Sequence, residues 1–383
     1  MPLPENSDLE SLHDPKEAGG GGEESSIRFK NNISYCLFTS FGVSFKTSRN
    51  ILPRSQALLA TGICLSLLLL LVCSIVSIIL GITDTTPATA YEALTAFDGS
   101  FQHLIIRTIR LPRAATALLV GGAVAVAGAI MQGVTRNPLA DPGILGINAG
   151  ASLAVVVAVW VLDNPSLSVY ASFALAGAGV AAIAVYSLAS LSRGGATPLN
   201  LTLAGAALTA LTSSLTAGIL IVSQRTLEDI RFWLAGSVAG RDIHLVLQVL
   251  PYLGIGLVLA LLLGRQLTTL SLGEDIARGL GQNTAWIKAI SAASVVLLAG
   301  GSVAIAGPIS FLGLVIPHIV RIWVGVDYRW ILPYAAIFGA IFLLIADIGA
   351  RLIIQPQELP VGLVMPLLGA PFFIYLIRWQ IKR

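Results

Sequence analysis

Residues 289–320 read AISAASVVLLAGGSVAIAGPISFLGLVIPHIV, and this stretch decides the class of fold because it contains no Asp, Glu, Lys or Arg. A helix rises about 1.5 Å per residue, so a single helix of this length would measure roughly 48 Å, whereas the hydrocarbon core of a bilayer is about 30 Å thick. Gly307 and Pro308 interrupt the stretch, and proline cannot continue a helix without losing a backbone hydrogen bond. The stretch therefore predicts two membrane helices, the second of them short.

Eight further uncharged apolar runs share this character, and each is long enough for one crossing. They cover residues 57–82, 114–135, 143–162, 165–192, 198–224, 245–264, 330–346 and 359–377. The composition agrees, since 55% of the residues are hydrophobic and only 11% are charged, too few to cover a water-soluble globule of 383 residues. The predicted fold class is an all-α polytopic membrane protein with ten transmembrane helices.

The first 56 residues differ from the rest. Acidic residues and a GGGG run at residues 19–22 precede scattered Lys and Arg. Such a segment cannot bury enough apolar surface to offset its ordering entropy, so we expect a largely disordered tail at 1–56 and a membrane domain at 57–383. Short loops rich in Lys and Arg stay cytoplasmic, and most of the 23 basic residues fall on one side if both termini are cytoplasmic.

A minority of the arginines falls on the predicted outer side. Arg107, Arg110 and Arg113 lie in IIRTIRLPRA before the second span, and Arg351 follows the ninth span at i+4 from Asp347, a spacing that permits an ion pair. The arginines could anchor the helices, with their stems along apolar surface and their heads in the interface. Alternatively, outward guanidinium groups could bind carboxylates on a soluble partner.

A charged island, LSLGEDIARGLGQN at residues 270–283, separates two apolar regions on the cytoplasmic side. Leu272, Ile276 and Leu280 recur every fourth residue and so share one face of a short helix. Glycines precede and follow this helix at 273 and 281, and the acids of its first turn suit the helix dipole. The helix could rest on lipid, or it could fit a groove in a cytoplasmic protein and transmit that protein's motion.

Small and hydroxylated residues line one face of the fifth span. Four of them follow helical spacing, namely Gly205, Thr209, Thr212 and Thr216, and Ser213 lies beside this row. They could form the wall of a path for a polar cargo, since such groups tolerate water and ligand without a bare charge in hydrocarbon. Ordinary helix packing in membranes uses the same residue types, and the sequence leaves both interpretations open.

Several function classes lack support in the sequence. There is no Gly-Lys pair and hence no phosphate-binding loop of the G-x-x-x-x-G-K-[ST] type, so any energy from ATP has to come from another polypeptide. An ion-driven secondary transporter usually has acids or histidines at mid-bilayer depth, and the centres of the spans contain none. An intramembrane enzyme needs a nucleophile with a base or a metal cluster, and His318 stands alone. We expect no catalytic site, bound metal or cofactor.

Four long motifs occur in a fixed order: RLPRAATALLVGGAVAVAGAIMQGVTRNPLADPGILGINAGA at 110–151, LGEDIARGLG at 272–281, AGPISFLGLVIPHIVR at 306–321 and ELPVGLVMPLLGAPFFIYLI at 358–377. Together they resemble the permease subunits of the iron-siderophore and vitamin B12 ABC importers, the FecCD type. The likeness runs from about residue 57 to the C-terminus. Only the acidic, glycine-rich tail is atypical of that family.

The resemblance implies a type II ABC importer permease with ten helices, in the bacterial cytoplasmic membrane. Its partners would be a second permease, identical or paralogous, two ATP-binding subunits and a periplasmic or lipid-anchored binding protein, with no nucleic acid. The cargo would be an iron-siderophore, with vitamin B12 or haem as alternatives. Binding-protein docking would fall to Arg110, Arg113 and Arg351. The resemblance assigns ATPase coupling to the segment that contains Leu272, Gly273, Glu274, Asp275, Ile276, Arg278, Gly279, Leu280 and Gly281, and it favours the fifth span as a wall of the path.

Overall fold

The computed structural model describes residues 56–81, 85–162, 165–192, 195–353 and 358–381, and all regular structure in these ranges is helical. The predicted disordered tail lies outside the described residues except for Gln56, where the first helix begins. The prediction of an all-α membrane protein is therefore confirmed for the part of the chain that is described.

Within the described ranges, seven helices are long and apolar enough to cross a membrane by length and composition. They are α1 (Gln56–Ile79), α3 (Phe101–Thr135), α5 (Leu167–Leu191), α6 (Pro198–Val222), α8 (Ile243–Leu262), α11 (Thr284–Ala306) and α13 (Tyr328–Ile353). The remaining helices are shorter or less apolar: α2 (Pro87–Thr95), α4 (Ile147–Leu162), α7 (Gln224–Leu234), α9 (Gly264–Leu272), α10 (Glu274–Gly279), α12 (Leu312–Val324) and α14 (Val361–Ile381).

Three of these other helices contain apolar segments that are short for a crossing. They are Ile147–Leu162, Leu312–Val324 and Val361–Ile374. The predicted count of ten depends on all three crossing as well, so that number stays a prediction. The short amphiphilic helices α2 and α7 were not expected from the sequence, because the residues that form them lie between the apolar runs.

The long apolar stretch 289–320 is divided where the sequence predicts. Helix α11 ends at Ala306, Gly307 has a φ of 74° that only glycine adopts easily, and α12 starts at Leu312 after a short non-helical segment. The backbone of this break is satisfied in part by a neighbouring loop, because Ser237 N donates to Ala306 O at 2.8 Å. Two helices from one apolar stretch are thus confirmed.

Helix α3 forms the centre of the bundle. In its most apolar stretch 78% of the residues are buried, against 11% in α1, which lies at the periphery. Gly121 of α3 and Gly339 of α13 face each other so closely that a methyl group on either would overlap the other's carbonyl group. The absence of side chains at this crossing lets the two backbones approach, as is common in membrane helix pairs.

The start of α3 differs from the prediction. The helix was expected to begin after Arg113, but it begins at Phe101 and continues through Pro112. A π-helical turn at Ile106–Arg110 precedes the proline. A π turn relieves the clash that proline makes with the preceding turn, which accounts for the longer helix. Arg107, Arg110 and Arg113 therefore lie within a helix and not in a loop.

Polar contacts attach the peripheral helix α1 to α13. Tyr334 Oη donates to Leu59 O at 2.8 Å near the start of α1. At the C-terminal end of α1, Arg351 Nη1 donates to Ser77 O and Leu80 O, each at 2.9 Å. The two bonds from Arg351 satisfy carbonyl groups that the C-terminal end of a helix leaves without a partner.

Candidate functional site

Two ends of the bundle carry the residues that the sequence singles out. The Glu274 end contains α10, and the Arg113 end contains Arg113, Asp347, Arg351 and Glu358. The sequence predicts that the Glu274 end is cytoplasmic and the Arg113 end is outside.

At the Glu274 end, the predicted short helix exists. It spans Glu274–Gly279, with both acids in its first turn and Arg278 in its last. Gly273 at its start has a φ of 142° and Gly281 after its end has a φ of 80°, so both bracketing glycines adopt backbone conformations that other residues avoid. The helix thus begins and ends where the glycines predict.

Glu274 connects this helix to the neighbouring span. Its carboxylate accepts hydrogen bonds from Lys288 Nζ at 2.6 Å, from Arg278 Nη2 at 2.7 Å and from Thr284 Oγ1 at 3.2 Å. The hydrogen bond from Lys288, together with the charges of Lys288 and Arg278, lowers the pKa of Glu274 below its ordinary value, although partial burial opposes this. Lys288 and Thr284 belong to α11, so Glu274 fixes α10 to a membrane helix.

The apolar face of α10 is open, but it is not formed by one helix as the spacing predicts. Leu272 ends α9, Ile276 lies on α10 and Leu280 follows α10, because the extended backbone at Gly273 separates the two helices. These three side chains are 62%, 51% and 68% exposed, whereas Ala277 of α10 is fully buried against the protein. A methyl group added at Gly279 or Gly281 would meet empty space. An exposed apolar patch on a rigidly held helix is a surface that a partner protein or a membrane can cover.

At the Arg113 end, two arginines share one buried carboxylate. Arg113 donates to Asp347 from Nε and Nη2, the latter at 2.8 Å, and Arg351 Nη2 lies 2.9 Å from Asp347 Oδ2. Asp347 is 1% exposed, and the ion pair between Asp347 and Arg351 that their spacing predicts is confirmed. Arg113 Nη1 also contacts Glu358 Oε2 at 2.5 Å, which adds a second carboxylate to the cluster.

The structure corrects the expectation that these arginines point outward. Arg110, Arg113 and Arg351 are 5%, 4% and 3% exposed. Arg110 Nη1 donates to Ile78 O and Ile79 O at the end of α1, and Arg351 Nη1 donates to the neighbouring carbonyl group of Ser77. The guanidinium groups are buried because they satisfy the last carbonyl groups of α1 and the carboxylate of Asp347. Their role in docking stays a prediction.

Arg107 is the exposed member of the arginine cluster that Arg107, Arg110 and Arg113 form in the sequence. It donates to Ala93 O at 2.6 Å and stacks over the ring of Phe97, 4.4 Å from its centroid, while its side chain remains open to the surroundings. A guanidinium that is held from below by carbonyl and aromatic groups is already oriented for a carboxylate. Arg107 is therefore the accessible cation of this cluster.

The candidate path residues on α6 divide between two faces. Gly205 packs against the carbonyl of Ile144, Thr212 is 7% exposed, and its hydroxyl donates to Leu208 O within its own helix. Thr209 and Thr216 are half-buried, while Ser213 is exposed. The placement of Gly205 and Thr212 favours helix packing as the role of these two residues. A role in the wall of the path stays a prediction for Thr209, Ser213 and Thr216.

Sequence reasoning missed Lys288 and Glu358. Lys288 lies 14 positions after its partner Glu274, beyond the spacing at which residues of one helix meet, so no local pattern indicates their contact. Glu358 is 245 positions from Arg113, a separation that only the fold closes. Among the described residues, no group of three His, Cys, Asp or Glu side chains is arranged to hold a metal ion.

Comparisons with known proteins agree with this geometry. The family model described as "FecCD transport family" matches residues 69–379. The chain is 49% identical over 82% of its length to the "Probable siderophore transport system permease protein YfiZ" of Bacillus subtilis strain 168, covering 95% of that protein. It is 42% identical over 82% of its length to the ferric enterobactin transport system permease protein FepD of Escherichia coli K12, covering 93% of that protein.

A solved structure of a metal-chelate type ABC transporter in an inward-facing conformation has the same fold. It superposes with a TM-score of 0.73 at 29% sequence identity, over 84% of this chain and 99% of the solved one. The architecture is thus that of an ABC transporter permease, as the sequence motifs imply. The chain belongs to the FecCD transport family, a family of membrane permeases.

Proposed function

We propose that this chain is the membrane permease of an ATP-driven importer whose cargo is an iron-siderophore complex. The observation that carries the proposal is the exposed apolar face of α10 on a helix that Glu274 fixes to a membrane span. Similar proteins support the cargo, since their names specify siderophore, iron(3+)-hydroxamate and ferric enterobactin transport. Vitamin B12 and haem are the alternative cargoes.

The partners follow from the two ends. Two ATP-binding subunits would each cover one copy of the apolar face formed by Leu272, Ile276 and Leu280, which the exposure of these residues leaves ready for burial. A second permease, identical or paralogous, would complete the path. A binding protein would dock at the Arg113 end. The assembly would lie in the bacterial cytoplasmic membrane with both termini inside.

The α10 surface can act on the membrane helices only through a stiff connection. A partner shifts an equilibrium between two conformations by the difference in its contacts with them, and that difference has to reach the spans. Glu274, Lys288 and Thr284 supply the connection to α11. The chain itself would hydrolyse no ATP. The ATP-binding subunits would supply the energy for transport.

Reconstitution tests the proposed function directly. The permease, its ATPase and its binding protein would be placed in liposomes, and uptake of a radiolabelled ferric siderophore would be followed with ATP, without ATP and with an imposed ion gradient. We expect accumulation only with ATP. Accumulation driven by the ion gradient alone, or by the permease without its ATPase, would contradict the proposal. Parallel assays with vitamin B12 and haem decide between the cargoes.

Docking at the Arg113 end has its own test. Charge reversal at buried Arg110 and Arg113 would disturb the fold, so the informative change is Arg107→Glu at the exposed member of the cluster. We expect weaker binding of the loaded binding protein by about tenfold at low salt, with less effect at high salt, because exposed charge pairs are screened. Affinity equal to that of the unmodified permease would argue against docking through this cluster.

A further inference from the structure

A cavity of about 410 Å³ opens at the Arg113 end, between the start of α5, α7, the loop that follows α7 and the residues just before α14. Its lining includes Arg241, Trp233, Tyr170, Phe232, Asp229 and Glu358. This volume lies in the range of small-molecule sites, and the lining combines aromatic side chains with charged ones. The cavity is not part of the Arg113 and Asp347 cluster, although Glu358 contributes to both.

Arg241 is a buried cation without a counter-ion. It is 9% exposed, and within the described part of the chain no carboxylate lies at ion-pair distance from it. Burial lowers the pKa of Arg241 to about 10, so the side chain is still a cation at neutral pH. A buried charge without a partner is unfavourable because it loses its hydration, and an anion in the cavity would offset that cost.

One edge of the Arg241 guanidinium is occupied and the other is available. Nε and Nη2 both donate to Ser237 O at 3.2 Å, which fixes the plane of the group. The remaining edge, formed by Nη1 and Nη2, presents two parallel N–H groups with no hydrogen-bond partner among the described residues. Two parallel donors in a plane match the two oxygens of a carboxylate.

Trp233, whose side chain also lines the cavity, carries a second buried donor. Trp233 is 4% exposed, and its indole Nε1 has no hydrogen-bond partner among the described residues. Buried N–H groups are almost always paired in folded proteins, so an unpaired one indicates a missing acceptor. Because Trp233 Nε1 is itself closed to solvent, the donors that reach the cavity are those of Arg241.

The loop that carries Arg241 is held firmly. Gly362 N donates to Gly236 O at 2.9 Å, and Ser237 N donates to Ala306 O at 2.8 Å, so the loop is bonded both to α14 and to the end of α11. Ala239 N donates to Ser237 Oγ at 3.1 Å and closes a turn just before Arg241. The donors are therefore positioned before any ligand arrives, which lowers the entropic cost of binding.

From this geometry we propose that the cavity binds a carboxylate group of an organic anion, held by the free edge of Arg241. The aromatic side chains of Tyr170 and Phe232 would cover the organic part of the ligand. Asp229 and Glu358 in the lining repel an anion in proportion to its charge, so a single carboxylate fits better than a phosphate dianion. The carboxylate could belong to a small molecule or to a side chain of a docking protein.

Binding is tested with a monocarboxylate probe on the complete permease and ATPase complex in lipid nanodiscs. The probe is 4-fluorobenzoate, followed by fluorine NMR line broadening, with neutral 4-fluorobenzamide as the comparison. We expect broadening by the carboxylate alone, and at least about tenfold weaker binding to Arg241→Gln. The matched control is Arg265→Gln, which removes an exposed arginine of α9 at the Glu274 end, away from the cavity lining.

Equal broadening by the amide, or unchanged binding to Arg241→Gln, would overturn the proposal. Arg241→Lys keeps the charge but removes the bidentate edge, and we expect it to bind at least threefold more weakly than the unmodified complex. Arg241→Lys therefore tests the role of the guanidinium even if Arg241→Gln does not assemble with the ATPase. These measurements need no transport, so they remain decisive if the proposed importer function fails.

Competition identifies the source of the carboxylate. If a docking protein supplies it, saturating 4-fluorobenzoate should weaken association of the loaded binding protein several-fold, and Arg241→Gln should abolish that effect. If the transported molecule supplies it, association should be unaffected while uptake slows. Absence of both effects, with the probe bound, would restrict the site to free small anions and would contradict a role in transport.

Discussion

The two ends of the molecule use charge in opposite ways. At the Arg113 end, cations and carboxylates are buried together, with Asp347 1% exposed between two arginines. At the Glu274 end, the charged groups form a partly exposed brace, and the apolar side chains of α10 face outward. The comparison teaches that buried charge fixes helices within the bundle, while exposed apolar surface is kept for a partner.

The largest expected effect comes from removing the shared carboxylate at the Arg113 end. Asp347→Asn leaves Arg113 and Arg351 buried without their common counter-ion, and breaking such a cluster costs about 3–5 kcal/mol. We expect a clear loss of stability in thermal unfolding of the purified protein in detergent. The control is Asp229→Asn, the same change at an exposed residue of the same end. Equal unfolding of both variants would show that the cluster does not stabilise the bundle.

The next effect concerns the apolar face at the Glu274 end. Leu280→Glu would place a carboxylate in the proposed contact with the ATPase. The free energy of desolvating that carboxylate exceeds about 1.4 kcal/mol, which corresponds to a factor of ten, so we expect uptake to slow by at least about tenfold. Leu280→Met keeps the face apolar and should transport normally. Uptake of Leu280→Glu at the rate of Leu280→Met would remove α10 from the coupling path. Stability should be unaffected in both, because Leu280 is 68% exposed.

A smaller effect is expected from the brace that holds α10. Glu274→Gln weakens the bonds from Lys288 and Arg278, and hydrogen bonds to charged groups contribute about 1.5–3 kcal/mol, less where water reaches them. We expect about three- to tenfold more ATP hydrolysed per cargo molecule in proteoliposomes. Asp275→Asn, next to it and without a side-chain bond in the described structure, should keep the normal ratio. An identical ratio in the two variants would contradict a coupling role for Glu274.

The smallest effect is a predicted insensitivity to pH. Since bonding to Lys288 lowers the pKa of Glu274, the carboxylate stabilises the brace at all pH values above its ordinary value near 4.5 and loses this contribution as the pH falls through the lowered value. Coupling should therefore be constant between pH 6 and 8. A change in this range that Glu274→Gln abolishes would show that Glu274 titrates near neutrality.

Local patterns account for the parts of the molecule that the sequence predicts well. The division of the stretch 289–320 follows from Gly307 and Pro308, and the limits of α10 follow from Gly273 and Gly281, because such residues restrict the backbone wherever they occur. The ion pair of Asp347 and Arg351 follows from their spacing on one helix. Each of these features depends on residues that are close in the chain.

Burial of the arginines could not be predicted in this way. The exposure of Arg113 depends on Asp347, which is 234 positions away, and that of Arg351 depends on Ser77, which is 274 positions away. A charged residue near a predicted membrane boundary looks the same in the sequence whether it faces water or the end of another helix. The π turn before Pro112 is equally hidden, since no residue type specifies it.

The attachment of α1 has a consequence for biosynthesis. This helix is the first of the described spans to leave the ribosome, yet its polar anchors Tyr334 and Arg351 follow their partners by 275 and 274 residues. At about 5–20 residues per second, the helix waits roughly 14–55 s for them. Arg110 is available early for the carbonyl groups of Ile78 and Ile79, but those of Ser77 and Leu80 need water or lipid headgroups as partners during that interval. Chains that are released early would therefore carry an undocked first span that quality-control proteases can recognise.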